Sequence, residues 1–257
     1  MLWALRRPRP AVDLTLLRQP QTALAVGLST LVAIVLFVIV FLLPLFLENL
    51  QGLSALQAGL TLLPQGLVTG VGIGLGAPLA ARRGVRATAL LGLGILVLGT
   101  AALLLVTATT PAWMTALILC GRGLASGLTI QPVLTVMIGG LAPAEVPDGN
   151  TLFNVAQRLG GSLGIPLLGT FFALRERVRV DAALRAMGLP AASSGQGGLG
   201  AGGARLPAPV RARLTGAAVA GFHDTIWLLV AVSVLGAALA LLLRDRARPE
   251  DASLAAT

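Results

Sequence analysis

DGNTLFNVAQRLGGSLGIPLLGTFFAL, residues 148–174, decides how this chain is read. The stretch is long and apolar enough to cross a bilayer, whose hydrocarbon core needs about 20 residues of helix. Its first half nevertheless carries Asn154, Gln157 and Arg158, and its middle carries Gly160, Gly161 and Gly164. A helix facing lipid does not tolerate that polar set. A helix packed in a bundle beside a water-filled cavity does. The expectation is therefore an all-α, polytopic membrane protein.

The rest of the chain agrees. It has 257 residues, 56% hydrophobic and 11% charged, whereas soluble domains carry about a quarter charged residues. Six runs are candidate spans: 22–47, 56–80, 87–107, 112–141, 149–174 and 223–243. Residues 1–21 read as a cytoplasmic lead-in and 244–257 as a cytoplasmic tail. The connection 175–222 is long. Its first part, RERVRVDAALRAM (175–187), reads as a short amphipathic surface helix, and SSGQGGLGAGGA (193–204) as a flexible linker. Pro44 interrupts the first run, ENLQGLS (48–54) makes a tight turn, and Asp148 is a candidate cap for the fifth helix.

All 19 basic residues are arginine, and the net charge is +9. The arginines cluster beside apolar runs, so they read as topology determinants facing acidic lipid rather than as a nucleic-acid surface. With six spans and both ends inside, ten arginines lie inside, but seven fall in the connection 175–222, outside. Charge counting alone slightly favours a five-span arrangement in which 149–174 does not cross. The uncharged run 159–174 needs burial and favours six.

Cys120 and His223 are the single cysteine and histidine, so no internal disulfide and no Cys- or His-rich metal site is expected. No nucleophile and base fall together: Ser126 lies inside a span, and His223 lies at a span edge. Neither an enzyme nor a bound cofactor is expected.

Glycines four apart, as in Gly70/Gly74, Gly72/Gly76, Gly123/Gly127 and Gly160/Gly164, suit close helix packing in lipid. Pro64, Pro132 and Pro166 are candidate bending points. Arg122 and Arg158 each lie ten residues inside a span, or about 15 Å deep. Each has a functional reading, lining a cavity and handling an anionic group, water or a coupling carboxylate, and a structural one, snorkelling or bonding to carbonyls of a broken helix. Arg122, Ser126 and Thr129 share one helix face, and Asn154, Arg158, Gly161 and Ser162 another. Gln157 joins the cavity candidates. Gln131 is a further one, about half a turn around the helix from Arg122. All ten acids sit at span ends or in connections, and Glu48 is the nearest to a coupling carboxylate.

Five segments resemble a known family in order and spacing: LPLFLENLQGLSALQAGLTLLPQGL, GAPLAARRGVR, GRGLASGLTIQPV and PDGNTLFNVAQRLGGSLGIPLLGT, with DLTLLRQPQTALA ahead of them. The family is the major facilitator superfamily, in its fourteen-helix drug:proton antiporter branch (the EmrB/QacA type). The resemblance covers about residues 13–243. It implies the second six-helix bundle of such a transporter, a 3+3 inverted repeat, with 174–222 as an external loop. Gly76, Arg82, Arg83, Gly84 and Arg86 match the superfamily's basic cytoplasmic loop. Ala81 stands near the place of its Asp, so no gating salt bridge is expected there. The family's proton-carrying acids lie mainly in the other bundle. The implied function is the C-terminal half of a drug-efflux-type secondary transporter in the cytoplasmic membrane. Its partner would be an N-terminal half or a second copy, and its substrate an unidentified small molecule. The alternative is a non-transporting accessory or scaffold subunit.

Overall fold

The computed structural model describes residues 14–139, 141–188 and 207–243. Among them are six α-helices: α1 (Pro20–Gln51), α2 (Ala55–Arg83), α3 (Val85–Ala102), α4 (Ala112–Ile138), α5 (Val146–Ala186) and α6 (Ala208–Ala240). Short 3-10 helices precede α1 and follow α3. Residues 1–13 of the expected lead-in, the Gly-rich 193–204 and the tail 244–257 lie outside the described residues.

Local chemistry sets the helix ends. Pro20 opens α1, where its missing N–H costs nothing. Gly52, at φ 69°, closes α1 in the left-handed conformation, and its N–H reaches the Leu47 carbonyl. Ser54 and Gln57 then form a capping box that starts α2. Gly84, at φ 89°, lets the chain pass from α2 to α3 with no intervening loop. Pro44, Pro64, Pro78, Pro132 and Pro166 all sit inside helices. Pro44 therefore does not end the first helix, contrary to an interruption there.

Four differences from the sequence expectation stand out. First, 175–186 is not a separate surface helix. It continues α5, which runs 41 residues, or about 60 Å at 1.5 Å per residue. Second, α6 begins at Ala208, not at residue 223. The two extensions pair: Gly221 packs on the Glu176 backbone, and just beyond it Arg179 grips Asp224 through both carboxylate oxygens, the shortest contact being 2.9 Å. Third, Asp148 lies in the first turn of α5, while Glu145 occupies the position before the helix. Fourth, five helices are long and apolar enough to cross a membrane, namely all but α5. The amides and Arg158 at its start and the RER sequence after it dilute its apolar run.

Helix α1 is the core. Val35, Val38, Ile39, Leu42, Leu43 and Leu47 are fully buried on it. Phe46 stacks on Phe222 of α6 with ring centroids 4.4 Å apart. The most extensive helix contacts are α2 with α4, α3 with α4, and α1 with α5. Gln51 donates from Nε2 to the carbonyls of Thr107 (2.8 Å) and Thr110 (3.2 Å), and His223 Nε2 lies 2.9 Å from the Val106 carbonyl. The α1–α2 turn, the α3–α4 link and the paired α5–α6 extensions therefore gather at one end of the bundle.

Glycines set how closely these helices approach. A Cβ on Gly127 would fall 2.5 Å from Thr69 O and Ile73 N, and one on Gly123 2.4 Å from Gln65 O. Gly72 faces the Leu124 carbonyl (2.7 Å) and Gly76 faces Gln131 Cβ (3.2 Å). On α5, Gly160 abuts Thr30 O (2.6 Å), Gly161 the Phe37 ring (2.9 Å) and Gly164 the Ile34 side chain (3.2 Å). Gly70 and Gly74 differ: among the described residues nothing lies within 4 Å of their Cβ positions. They do not pack against these helices, and the close α2 contact belongs to Gly72 and Gly76.

Candidate functional site

A recess of about 210 Å³ opens among α1, α2, α4 and α5. Its polar groups are Ser29, Gln65, Thr69, Ser126, Thr129 and Gln157, and the rest of the wall is aliphatic or phenyl. No residue of α3 or α6 lines it. Most of the hydroxyls are turned into their own helices: Ser126 Oγ donates to Arg122 O (2.7 Å), Thr129 Oγ1 to Ala125 O (2.8 Å) and Thr69 Oγ1 to Gln65 O (2.8 Å). Each keeps an oxygen lone pair for a guest. Gln65 is different. It is 8% exposed, and its Oε1 is buried with no hydrogen-bond partner among the described residues. A buried amide oxygen left without a partner costs about 1–3 kcal/mol, so a donor entering the recess would be welcome there.

A second, wider recess of about 650 Å³ is lined by Phe37 of α1 and by Asn154, Gln157, Arg158, Gly161, Ser162, Ile165 and Pro166 of α5. Gln157 and Phe37 line both recesses, so the two meet there. Asn154 donates from Nδ2 to its own helix at Asn150 O (2.8 Å), and Ser162 to Leu159 O (3.2 Å). Arg158 is exposed and has no hydrogen bond or ion pair among the described residues.

Arg122 goes elsewhere. It is fully buried and is the bulkiest of the fully buried side chains among the described residues. Its Nη1 donates to Thr100 Oγ1 on α3, and its Nη2 to the Val35 carbonyl on α1 at 3.3 Å. Its stem lies over Gly99, whose missing Cβ would fall 2.8 Å from Arg122 Cγ. Arg122 thus ties α4 to α1 and α3, and it is not among the residues of either recess. The carbonyl it reaches belongs to the continuous helix α1, not to a broken helix. Arg122 and Arg158 are not brought together.

The other expected residues divide. Ser126, Asn154, Gln157 and Arg158 line a recess; Gln131 lines neither and instead meets Gly76 across the α2–α4 contact. Pro166 edges the wider recess, whereas Pro64 and Pro132 line neither. Arg82 and Arg83 close the last turn of α2, where cations complement the helix dipole. Sequence reading missed Ser29, Gln65 and Thr69. The signal for Gln65 was available: an amide in mid-run, four residues before Thr69 on the same face of α2.

A family model described as Major Facilitator Superfamily matches residues 4–165. The chain belongs to the major facilitator superfamily. Among curated relatives, it is 29% identical over 171 residues to the uncharacterized MFS-type transporter YhcA of Bacillus subtilis, covering 66% of this chain and 32% of YhcA. It is 28% identical to a multidrug resistance protein B homolog of Mycobacterium tuberculosis, covering 63% of this chain and 31% of that protein. It is 34% identical to a tetracycline resistance determinant of Streptomyces rimosus, covering 64% of this chain and 48% of that one. The chain therefore spans about a third to a half of the length of these relatives. In structure it resembles a bacterial homologue of the human lysosomal transporter Spinster, in an inward-facing and occupied conformation. The TM-score is 0.66 at 21% identity, covering 96% of this chain and 56% of that one. A shared helical fold follows from that likeness.

Proposed function

We propose that this chain is one six-helix bundle, of the C-terminal kind, from a drug-efflux-type secondary transporter of the fourteen-helix branch. In this reading all six helices cross the cytoplasmic membrane, α5 included, and both chain ends face the cytoplasm. The bundle forms one wall of a central cavity and rocks against a second bundle, exchanging small molecules for protons. The multidrug and tetracycline resistance names of its relatives support the substrate class.

The observation that carries the reading is which helices build the recess. It is lined by α1, α2, α4 and α5, and not by α3 or α6. In a 3+3 inverted repeat, α1 corresponds to α4, α2 to α5 and α3 to α6. The lining helices are then two equivalent pairs. The same exchange turns the α2–α4 contact into the α5–α1 contact, and both are among the most extensive in the bundle. The contact pattern thus supports a repeat, and the recess lies where the two triplets converge. The exposed Asn154 and Arg158 of α5 support a watery or protein-covered flank, since exposure to lipid would cost about 2.5–3.5 kcal/mol for the arginine alone.

The test pairs this chain with an N-terminal half in drug-sensitive cells and follows export of a fluorescent dye. Gln65→Leu and Gln157→Leu should lower export while the amount of assembled protein stays constant. Unchanged export in both would sink the assignment. Dye export driven by a proton gradient in liposomes holding this chain alone would show that no second bundle is needed. An accessory or scaffold subunit is favoured by one observation, the architectural role of Arg122. It predicts that recess variants leave export intact, whereas Arg122 variants disturb assembly.

A further inference from the structure

Among the described residues Arg158 has no partner, and its surroundings specify what kind of partner it lacks. The six acids of the described residues, Glu48, Glu145, Asp148, Glu176, Asp181 and Asp224, line neither recess that Gln157 touches. Asp148, the nearest along α5, lies ten residues before Arg158, or about 15 Å along the axis. Beside the guanidinium are the amides of Asn154 and Gln157 and the hydroxyl of Ser162, all uncharged. Phe37, Ile165 and Pro166 supply the apolar part of the same wall, and it runs on past Phe37 into Leu36 and Val40. Gly161 lets the Phe37 ring lie close against α5, since a Cβ there would fall 2.9 Å from the ring.

We infer that the wider recess is a site for an amphiphilic anion, its carboxylate or phosphate on Arg158 and its apolar body against Phe37, Ile165 and Pro166. The inference rests on reading the joined recesses as a transport wall, and it adds the charge of the guest. A guanidinium grips a planar oxyanion through two parallel N–H donors. The same positive charge repels a cationic guest. An anionic lipid phosphate shares the chemistry with a small carboxylate, and the experiment separates them.

The full chain is placed in phosphatidylcholine nanodiscs and titrated with three fluorescent probes of one shape: pyrenebutanoate, pyrenebutanol and pyrenebutylammonium. Anisotropy is read against empty nanodiscs. The carboxylate should bind about 10-fold more tightly than the alcohol, the ammonium most weakly. Arg158→Gln should bring the carboxylate down to the alcohol's affinity, and Arg158→Lys should keep part of the preference. Circular dichroism and size-exclusion profiles confirm that each variant is folded. Loss of carboxylate binding when phosphatidylglycerol is added assigns the site to lipid phosphate; retained binding assigns it to a free anion. Equal affinity for the carboxylate and the alcohol, or a preference that survives Arg158→Gln, overturns the inference. Saturable alcohol binding without a charge preference would leave the transport wall standing. No saturable binding by any probe would remove both.

Discussion

Two helix contacts that the proposed inverted repeat would make counterparts, α2 with α4 and α5 with α1, are built differently. Where α2 meets α4, glycine faces backbone from both sides: Gly72 meets the Leu124 carbonyl, Gly123 meets Gln65, and Gly127 meets Thr69 and Ile73. Where α5 meets α1, only α5 supplies the glycines. Gly160 meets backbone at Thr30 O, but Gly161 and Gly164 find their nearest neighbours in side chains, the Phe37 ring and Ile34. A backbone has nowhere to go when crowded, whereas a ring or an Ile can change rotamer. The first contact is therefore fixed at each of these glycines, and the second is fixed at Gly160 but cushioned at Gly161 and Gly164. Both recesses that Gln157 lines are bordered by the cushioned side.

The largest effect expected from this difference is at Gly127. Gly127→Ala places a methyl 2.5 Å from main-chain atoms of α2, and should cost about 3 kcal/mol or more. It should be visible as a collapsed unfolding midpoint in detergent and a loss of the monodisperse peak. A variant of normal stability would break the comparison at once. Next comes Thr100, at the crossing where Arg122 joins α4 to α1 and α3. Thr100→Val strands a buried guanidinium N–H and should cost about 1–3 kcal/mol. In an Arg122→Met background the same change should be nearly silent, and a double-mutant cycle of midpoints measures it.

Gly164→Ala probes the cushioned side. Its methyl would meet Ile34 at 3.2 Å, so a loss of about 1 kcal/mol is expected, well short of the Gly127 effect. Equal losses at the two positions would erase the distinction. Gly70→Ala and Gly74→Ala face open space and should stay within about 0.5 kcal/mol in the isolated chain. If the same pair cuts export in the proposed two-bundle transporter, that face of α2 would be assigned to the contact with the proposed second bundle.

The smallest effect expected is a pH dependence at Glu176, beyond the apolar run of α5. Burial raises its carboxyl above the ordinary value of 4.5. The folded chain then holds that proton more tightly than the unfolded chain does. Stability present below the ordinary value should fall as pH rises through the raised one. Glu176→Gln should flatten this part of a plot of midpoint against pH, and an unchanged slope would count against the assignment.

Much of the architecture was readable from residues alone, and the reasons are physical. Long apolar runs, Gly52 and Gly84 at the turns, and the Ser54–Gln57 box place helices with little help from tertiary structure. The paired extensions of α5 and α6 were not readable. Arg179 and Asp224 are 45 positions apart, and local composition cannot show that they meet. The fate of the two deep arginines was also hidden. Helical spacing puts Arg122 on a face with Ser126 and Thr129, but a long side chain can leave its face, and this one turns toward Thr100 and Val35. Among the glycines, spacing alone could not distinguish Gly70/Gly74 from Gly72/Gly76. The partner helix decides that.

The position of Arg122 also bears on how the protein is made. When α4 enters the bilayer during synthesis, its guanidinium is stranded until Val35 and Thr100 are within reach. Both acceptors lie on earlier helices, so chain order delivers them first. A circularly permuted chain that released α4 ahead of α1 and α3 would leave it hesitating at the translocon.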